Sequence, residues 1–292
     1  MQLSLSTRIA ESFSDKEKAA VPFEEFSQLA KDNGYHAICM RASAAGIQSS
    51  KERIAEVRQI LDHLDLRVSM VTGDFAIPEN FERGPGALRN ITPYLDLAEA
   101  FTCGLMRICM KKEEDIPWAQ RASDEAAERG IRLAHQCHAA SLFETIEGSV
   151  EVLRRVDRPN FGIIYEPANL RMCGQPYGLE ALQAFEPYLF NVYLQNYMPN
   201  PEGKANVETW VRGVVHFDHI PLHDARGVDW SEVFHALESV GYDGYVTVHQ
   251  ALAEIMSPAE AAQVSTDYLR SLQKFDSYPD PLAGTMGRRI QF

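Results

Sequence analysis

FGIIYEPAN (161–169) is the stretch on which the fold turns. A short apolar run, two of its residues β-branched, goes straight into Glu166, Pro167 and Asn169, so a buried strand stops on groups that can do chemistry. Three other runs in the second half follow the same plan: IRLAHQCH (131–138), FNVYLQN (190–196) and GYVTVHQ (244–250). Apolar strands that all end on His, Gln, Glu or Asn are expected side by side in a parallel barrel, where chemistry gathers at the C-terminal ends of the strands.

Working outward, QLSLS (2–6), HAICM (36–40), RVSMV (67–71) and GLMRICM (104–110) bring the strand-like runs to eight, at the spacing of repeated βα units. The segments between them read as helices. FEEFSQLAKDNG (23–34) ends on a glycine suited to the position after a helix. SKERIAEVRQILDHL (50–64) carries apolar residues at helical spacing, and DWSEVFHALESVG (229–241) opens on a capping aspartate and closes on glycine.

Eight such units in about 250 residues match a single-domain (β/α)8 TIM barrel, expected over residues 1–275. The rival, a doubly wound open sheet, lacks a GxGxxG after the first strand. Residues 197–227 form the longest irregular piece, a long excursion over the barrel mouth. The extended tail DSYPDPLAGTMGRRIQF (276–292), with two prolines and two glycines, is expected to pack over the barrel or onto a second subunit, which would make a homodimer.

The bulk composition narrows the function classes. The 292 residues are 45% hydrophobic and 24% charged, enough for one large core. No apolar run is long enough for a membrane span, and the N-terminus lacks the basic-then-apolar pattern of a signal peptide. A formal net charge of −13 argues against nucleic acid and against an anionic membrane surface. Five cysteines, odd in number and without a CxxC pair, point to reduced, buried thiols in a cytoplasmic protein.

Residue types and parity nominate a site at the strand ends. Gln136 and His138 flank Cys137 and share one face, where an imidazole and an amide can bind a metal or polarise and deprotonate a hydroxylated substrate, whereas His135 has the opposite parity and faces the helices. Glu166 is a carboxylate suited to a hard or borderline divalent cation. Tyr193 and Gln195 share parity and offer a hydrogen-bond donor and a neutral carbonyl. His249 is a candidate ligand or base. In the first half, Arg41, Ser43, Lys111 and Lys112 follow strands and supply groups for an anionic or enediolate oxygen. His216, Asp218, His219 and His223 make the long excursion His-rich, though their spacing matches no specific metal motif.

Read together, GYHAICMR (34–41), EPAN (166–169) and VDWSEVFHALESVGYDGYVTVHQ (228–250) resemble the xylose-isomerase-like TIM-barrel superfamily, which includes sugar and sugar-phosphate isomerases, epimerases, dehydratases and the endonuclease IV branch. The resemblance covers most of residues 1–273. It implies a metal-binding Glu after strand five in an E-N-H-like motif, an Asp three residues before a His after strand six, a His or Gln after strand seven and a Glu after strand eight. The matching positions hold Gln136 (with His138), Glu166 (with Asn169), Tyr193 or Gln195, and His249. Only Glu166 is acidic, so neither of the two proton-exchanging glutamates of the epimerases is present.

The resemblance therefore implies a divalent ion (Mn, Mg, Co or Zn) held by Glu166, Gln195, His249 and Gln136. His138 or His249 would be the base, Arg41 and Lys111 the charge stabilisers, and Tyr193, Asn169 and Gln136 the substrate contacts. The expected reaction is isomerisation or epimerisation of a small carbohydrate through an enediolate. A keto-sugar dehydratase or lyase and a non-catalytic sugar-binding barrel are the alternatives.

Overall fold

The computed structural model describes residues 1–11, 18–72 and 84–275. Eight parallel strands close into a barrel: β1 (Gln2–Ser6), β2 (Ala37–Arg41), β3 (Arg67–Thr72), β4 (Leu105–Ile108), β5 (Arg132–Gln136), β6 (Phe161–Tyr165), β7 (Leu189–Leu194) and β11 (Tyr245–Val248), with β11 pairing with β1 to complete the ring. The expected strands are all present, with ends shifted by a few residues: β4 stops at Ile108, and Arg41 and Gln136 are the last residues of their strands. The extended tail, residues 276–292, lies outside the described residues.

Helices α1 (Phe23–Asp32), α2 (Lys51–His63), α3 (Gly86–Arg89), α4 (Thr92–Ala100), α5 (Ile116–Glu128), α6 (Ile146–Val156), α7 (Pro167–Met172), α8 (Leu179–Phe185), α9 (Trp230–Ser239) and α10 (Pro258–Leu272) surround the strands. Their ends follow local chemistry. Ser50 and Asp229 accept the backbone N–H three residues on, at α2 and α9, and Gly34 and Gly241 take positive φ just past α1 and α9.

Strand alternation divides the core in two. One face of each strand points to the helices, where Leu3, Leu5, Ile38, Met40, Leu133 and Ile163 join a single large cluster. The other face fills the barrel, where Cys39, Met70, Leu105, Ala134, Ile164 and Tyr193 pack together. Around them the filling is polar: Ser4 and Ser69 hydroxyls meet at 2.6 Å, and Thr247 donates to Asn191 Oδ1 at 3.0 Å. Such pairing is what makes polar groups tolerable in a buried layer, though Asn191 Nδ2 has no partner among the described residues. His135 lies on the helix side as parity requires, stacked on Phe143.

The excursion after β7 is more ordered than its composition suggests. β8 (Tyr197–Pro199), β9 (Ala205–Thr209) and β10 (Gly213–His219) form an antiparallel sheet with β10 central. The β9–β10 turn is closed by Thr209, whose hydroxyl accepts from Arg212 N and donates to Gly213 O, with Gly213 at φ +70°. Buried Glu144, in the loop after β5, accepts from Trp210 N and Val211 N at 2.9 Å each and from Ala140 N at 2.7 Å. One carboxylate thus pins the hairpin to the barrel. All five cysteines are buried and unpaired by disulfide, and among the described residues no helix is long and apolar enough to cross a membrane.

Candidate active site at the barrel mouth

Three strand ends converge on Glu166. The residue follows β6 directly and precedes Pro167, whose fixed φ suits the first position of α7 and so holds the carboxylate at the strand-to-helix corner. Gln136, the last residue of β5, donates Nε2 to Glu166 Oε2, and Gln195, just past β7, donates Nε2 to Oε1 at 2.6 Å. Asn169, in the first turn of α7, donates Nδ2 to Oε2 at 2.9 Å and to Cys137 O at 2.8 Å. Tyr197 in turn donates its hydroxyl to Gln195 Oε1.

Glu166 is completely buried, and that burial pushes its carboxyl up to about 8, against the opposing pull of Gln136, Arg107 and Gln195. Hydrogen bonds to a carboxylate favour the charged form, but removal from water outweighs them here.

A second group stands on β11, β7 and β1. His249 and Tyr193 stack with ring centroids 4.0 Å apart and planes 5° from parallel, and His249 Nδ1 lies 2.9 Å from Ser6 Oγ. Tyr193, expected to contact substrate, turns its hydroxyl down toward Cys39 Sγ at 3.4 Å and is wholly enclosed within the barrel filling. Arg107 lies over the Tyr193 ring at 5.9 Å. Burial pushes the Tyr193 hydroxyl well above its ordinary range, while Arg107 and Arg41 pull the other way.

The third group joins β1 and β2. Arg41 donates Nε to Glu11 Oε1 at 2.6 Å, Ser43 donates its hydroxyl to the same oxygen at 2.9 Å, and Arg8 donates Nη1 to Glu11 Oε2 at 3.1 Å. Arg41, expected to steady substrate charge, is thus an internal partner of Glu11 and is only 2% exposed. Lys111 is half-buried in the loop after β4, where its backbone N–H and that of Lys112 both donate to Asp115.

His138 is half-buried after β5, with Nδ1 3.0 Å from Ala139 O. A carbonyl only accepts, so Nδ1 carries the hydrogen of this contact. In the excursion, His216 contacts Gly203 O, Asp218 accepts from Asn200, and His219 packs against Tyr197 and Phe217. These side chains serve the three-stranded sheet, and among the described residues no three His, Cys, Asp or Glu side chains group as metal ligands.

Four residues of this mouth escaped the sequence reading: Arg8, Glu11, Arg107 and Tyr197. Arg107 had a visible signal, as the one charge inside GLMRICM, and Tyr197 shares the parity of Gln195. Glu11 and Arg8 lie beyond the end of β1 and carried none.

The donor set does not fit a divalent ion at Glu166. Both carboxylate oxygens receive amide N–H groups, Gln195 Oε1 receives the Tyr197 hydroxyl, and His249 is directed to Ser6 and Tyr193. To admit a cation, both glutamines would have to turn their oxygens inward and give up their bonds to Glu166. The site would still hold a single anionic ligand.

The profile of the family described as "Xylose isomerase-like TIM barrel" matches residues 27–272. The chain belongs to this family. No curated protein matches it in sequence. Among solved xylose-isomerase-like and related barrels, the probable 3-DHS dehydratase AsbF from Bacillus anthracis superposes with a TM-score of 0.68 at 17% identity, covering 92% of this chain and 99% of that one. D-allulose 3-epimerase from Methylomonas sp. gives 0.65 at 14%, over 94% and 98% of the two chains. A xylose isomerase-like TIM barrel protein from Mycobacterium smegmatis in complex with magnesium gives 0.65 at 17%, over 93% and 96%. Identities this low establish a shared fold.

Proposed function

We propose that this chain is an enzyme of the carbohydrate isomerase or epimerase type, moving a proton at the carbon beside a carbonyl of a small hydroxylated substrate in the barrel mouth. The observation that carries the reading is the buried carboxyl of Glu166 at the end of β6, titrating at about 8, a range in which one group both gives and takes a proton near neutral pH.

The substrate enters by replacing amide N–H donors on Glu166 with its own hydroxyls, since those oxygens already accept from three side chains. His138 Nε2 takes the proton from the carbon next to the carbonyl. The C–H electron pair becomes the carbon–carbon double bond of an enediol, and the carbonyl oxygen takes a proton from protonated Glu166. Return of a proton to the neighbouring carbon gives the isomer, and return to the opposite face of the same carbon gives the epimer. In dehydration the β-hydroxyl leaves instead as water with the proton that His138 took from the α-carbon, while the enol O–H returns its proton to Glu166 and the carbonyl re-forms. His249 is held at the end of β11 by Ser6 and by stacking on Tyr193.

These steps use the chain's own groups, because the donor set around Glu166 does not suit a divalent ion. A second reading, a sugar-binding barrel without turnover, draws on the same amide cage, which seals both oxygens of the one carboxylate nearest the centre. Proton NMR of keto-sugars incubated with the chain in D₂O separates these readings. Deuterium beside the carbonyl with an intact skeleton supports isomerase or epimerase chemistry, a new enone supports dehydration, and binding without exchange supports the sugar-binding barrel.

A further inference from the structure

Arg8 occupies the 3-10 turn Thr7–Ala10 directly after β1, at the mouth end of the barrel. Its backbone N–H donates to Ser6 Oγ at 3.2 Å, the same hydroxyl that lies 2.9 Å from His249 Nδ1. Its side chain is 15% exposed and lies within electrostatic reach of Tyr197, which also feels Glu166.

Glu11 serves several donors at once. One of its oxygens takes both Arg41 Nε and the Ser43 hydroxyl, and the other takes Arg8 Nη1. A single carboxylate thus divides its charge between two guanidiniums, and Arg8 is the more exposed of the two. Burial and the neighbouring charge of Arg41 both lower the Arg8 pKa, as expected of a cation whose charge is only partly compensated. The Nη1 contact holds one nitrogen of the guanidinium, and among the described residues no partner is seen for Nε and Nη2, which together form a fork, the geometry that takes carboxylate or phosphate oxygens in pairs.

We infer that Arg8 is the anchor for an anionic substituent, a carboxylate or a phosphate monoester, on the small hydroxylated substrate of the mouth. The inference rests on the reading of the mouth as a carbohydrate site. Glu11 holds the guanidinium in place, and the Ser6 contact ties that anchor to His249, so anion binding and substrate positioning share one scaffold.

Isothermal titration calorimetry on the full chain, with D-fructose, 5-keto-D-gluconate and D-fructose 6-phosphate as probes, tests it. At least one anionic probe is expected to bind about tenfold tighter than D-fructose, the gain of a charge-assisted hydrogen bond pair. That gain should vanish in Arg8→Gln and survive in part in Arg8→Lys. A gain for the keto-acid alone assigns a carboxylate, and a gain for the phosphate alone assigns a phosphate. Equal affinity for all three probes, or a gain that persists in Arg8→Gln, overturns the anchor and leaves the carbohydrate reading standing. Binding of none of the three overturns both. The wild-type comparison needs no variant, so a folding defect in Arg8→Gln does not mask the result.

Discussion

Gln195 donates its amide to Glu166 Oε1 at 2.6 Å and so covers one face of the carboxyl at the centre of this barrel mouth. With Gln136 and Asn169 on the other oxygen, amides stand where the family pattern would place charged or imidazole ligands. Neutral donors leave the buried carboxyl with too little compensation to hold its charge at neutral pH, and this sets the first prediction.

The unfolded chain releases the Glu166 proton near 4.5 and the folded chain near 8. Between these values the folded state binds one more proton than the unfolded state, so stability conferred by this group is complete below about 4.5 and is lost as pH rises through about 8. The slope is at most about 1.4 kcal/mol per pH unit. Urea unfolding of wild type and Glu166→Gln across this window should show the variant's stability falling less with pH. Parallel curves would show that Glu166 titrates normally.

Gln136→Glu puts a second carboxylate beside Glu166 and supplies the anionic ligand that the donor set lacks. Mn²⁺ is expected to raise the melting temperature of this variant by about 3 °C or more while leaving wild type unchanged. A matching rise in wild type would show that the amide cage opens for a cation.

Glu11→Gln removes a counter-charge of Arg41, which is 2% exposed, in a pair whose carboxylate is itself fully buried. Breaking a buried pair from one side costs about 3–5 kcal/mol. Urea titration should register a loss of this order, and a loss below about 1 kcal/mol would mean that Arg41 relaxes onto another acceptor.

Much of this architecture was legible in the chain. The eight strands declared themselves because a buried parallel strand must be apolar for its length and polar at its end, and FGIIYEPAN and GYVTVHQ show that switch plainly. The convergence of Gln136, Glu166 and Gln195 followed from parity, since each is placed by its strand. Two things were hidden. Residues 197–227 read as irregular because the central strand β10 is largely exposed and lacks a clean alternation, although β9 alternates, and because the hairpin is tied to the barrel by Glu144, far away in sequence. The Arg8–Glu11–Arg41 group was hidden for a related reason: an ion pair between residues 30 apart leaves no local pattern.

Glu144→Ala tests that long-range tie directly. It strips acceptors from Trp210 N, Val211 N and Ala140 N, and unsatisfied backbone donors cost about 1–3 kcal/mol each where they stay buried. Faster proteolysis within residues 209–213, with the rest of the barrel intact, is the expected outcome. Unchanged cleavage would show that the three-stranded sheet holds itself.

The central claim is that Glu166 exchanges a proton with substrate in the mouth. The most direct measurement is the pH dependence of deuterium uptake from D₂O into a bound keto-sugar, in wild type and in Glu166→Gln. In wild type the rate is expected to have a pH profile with an inflection near 8, and Glu166→Gln to lose that inflection with most of the rate. Exchange in Glu166→Gln at the wild-type rate and with the wild-type pH profile would contradict it.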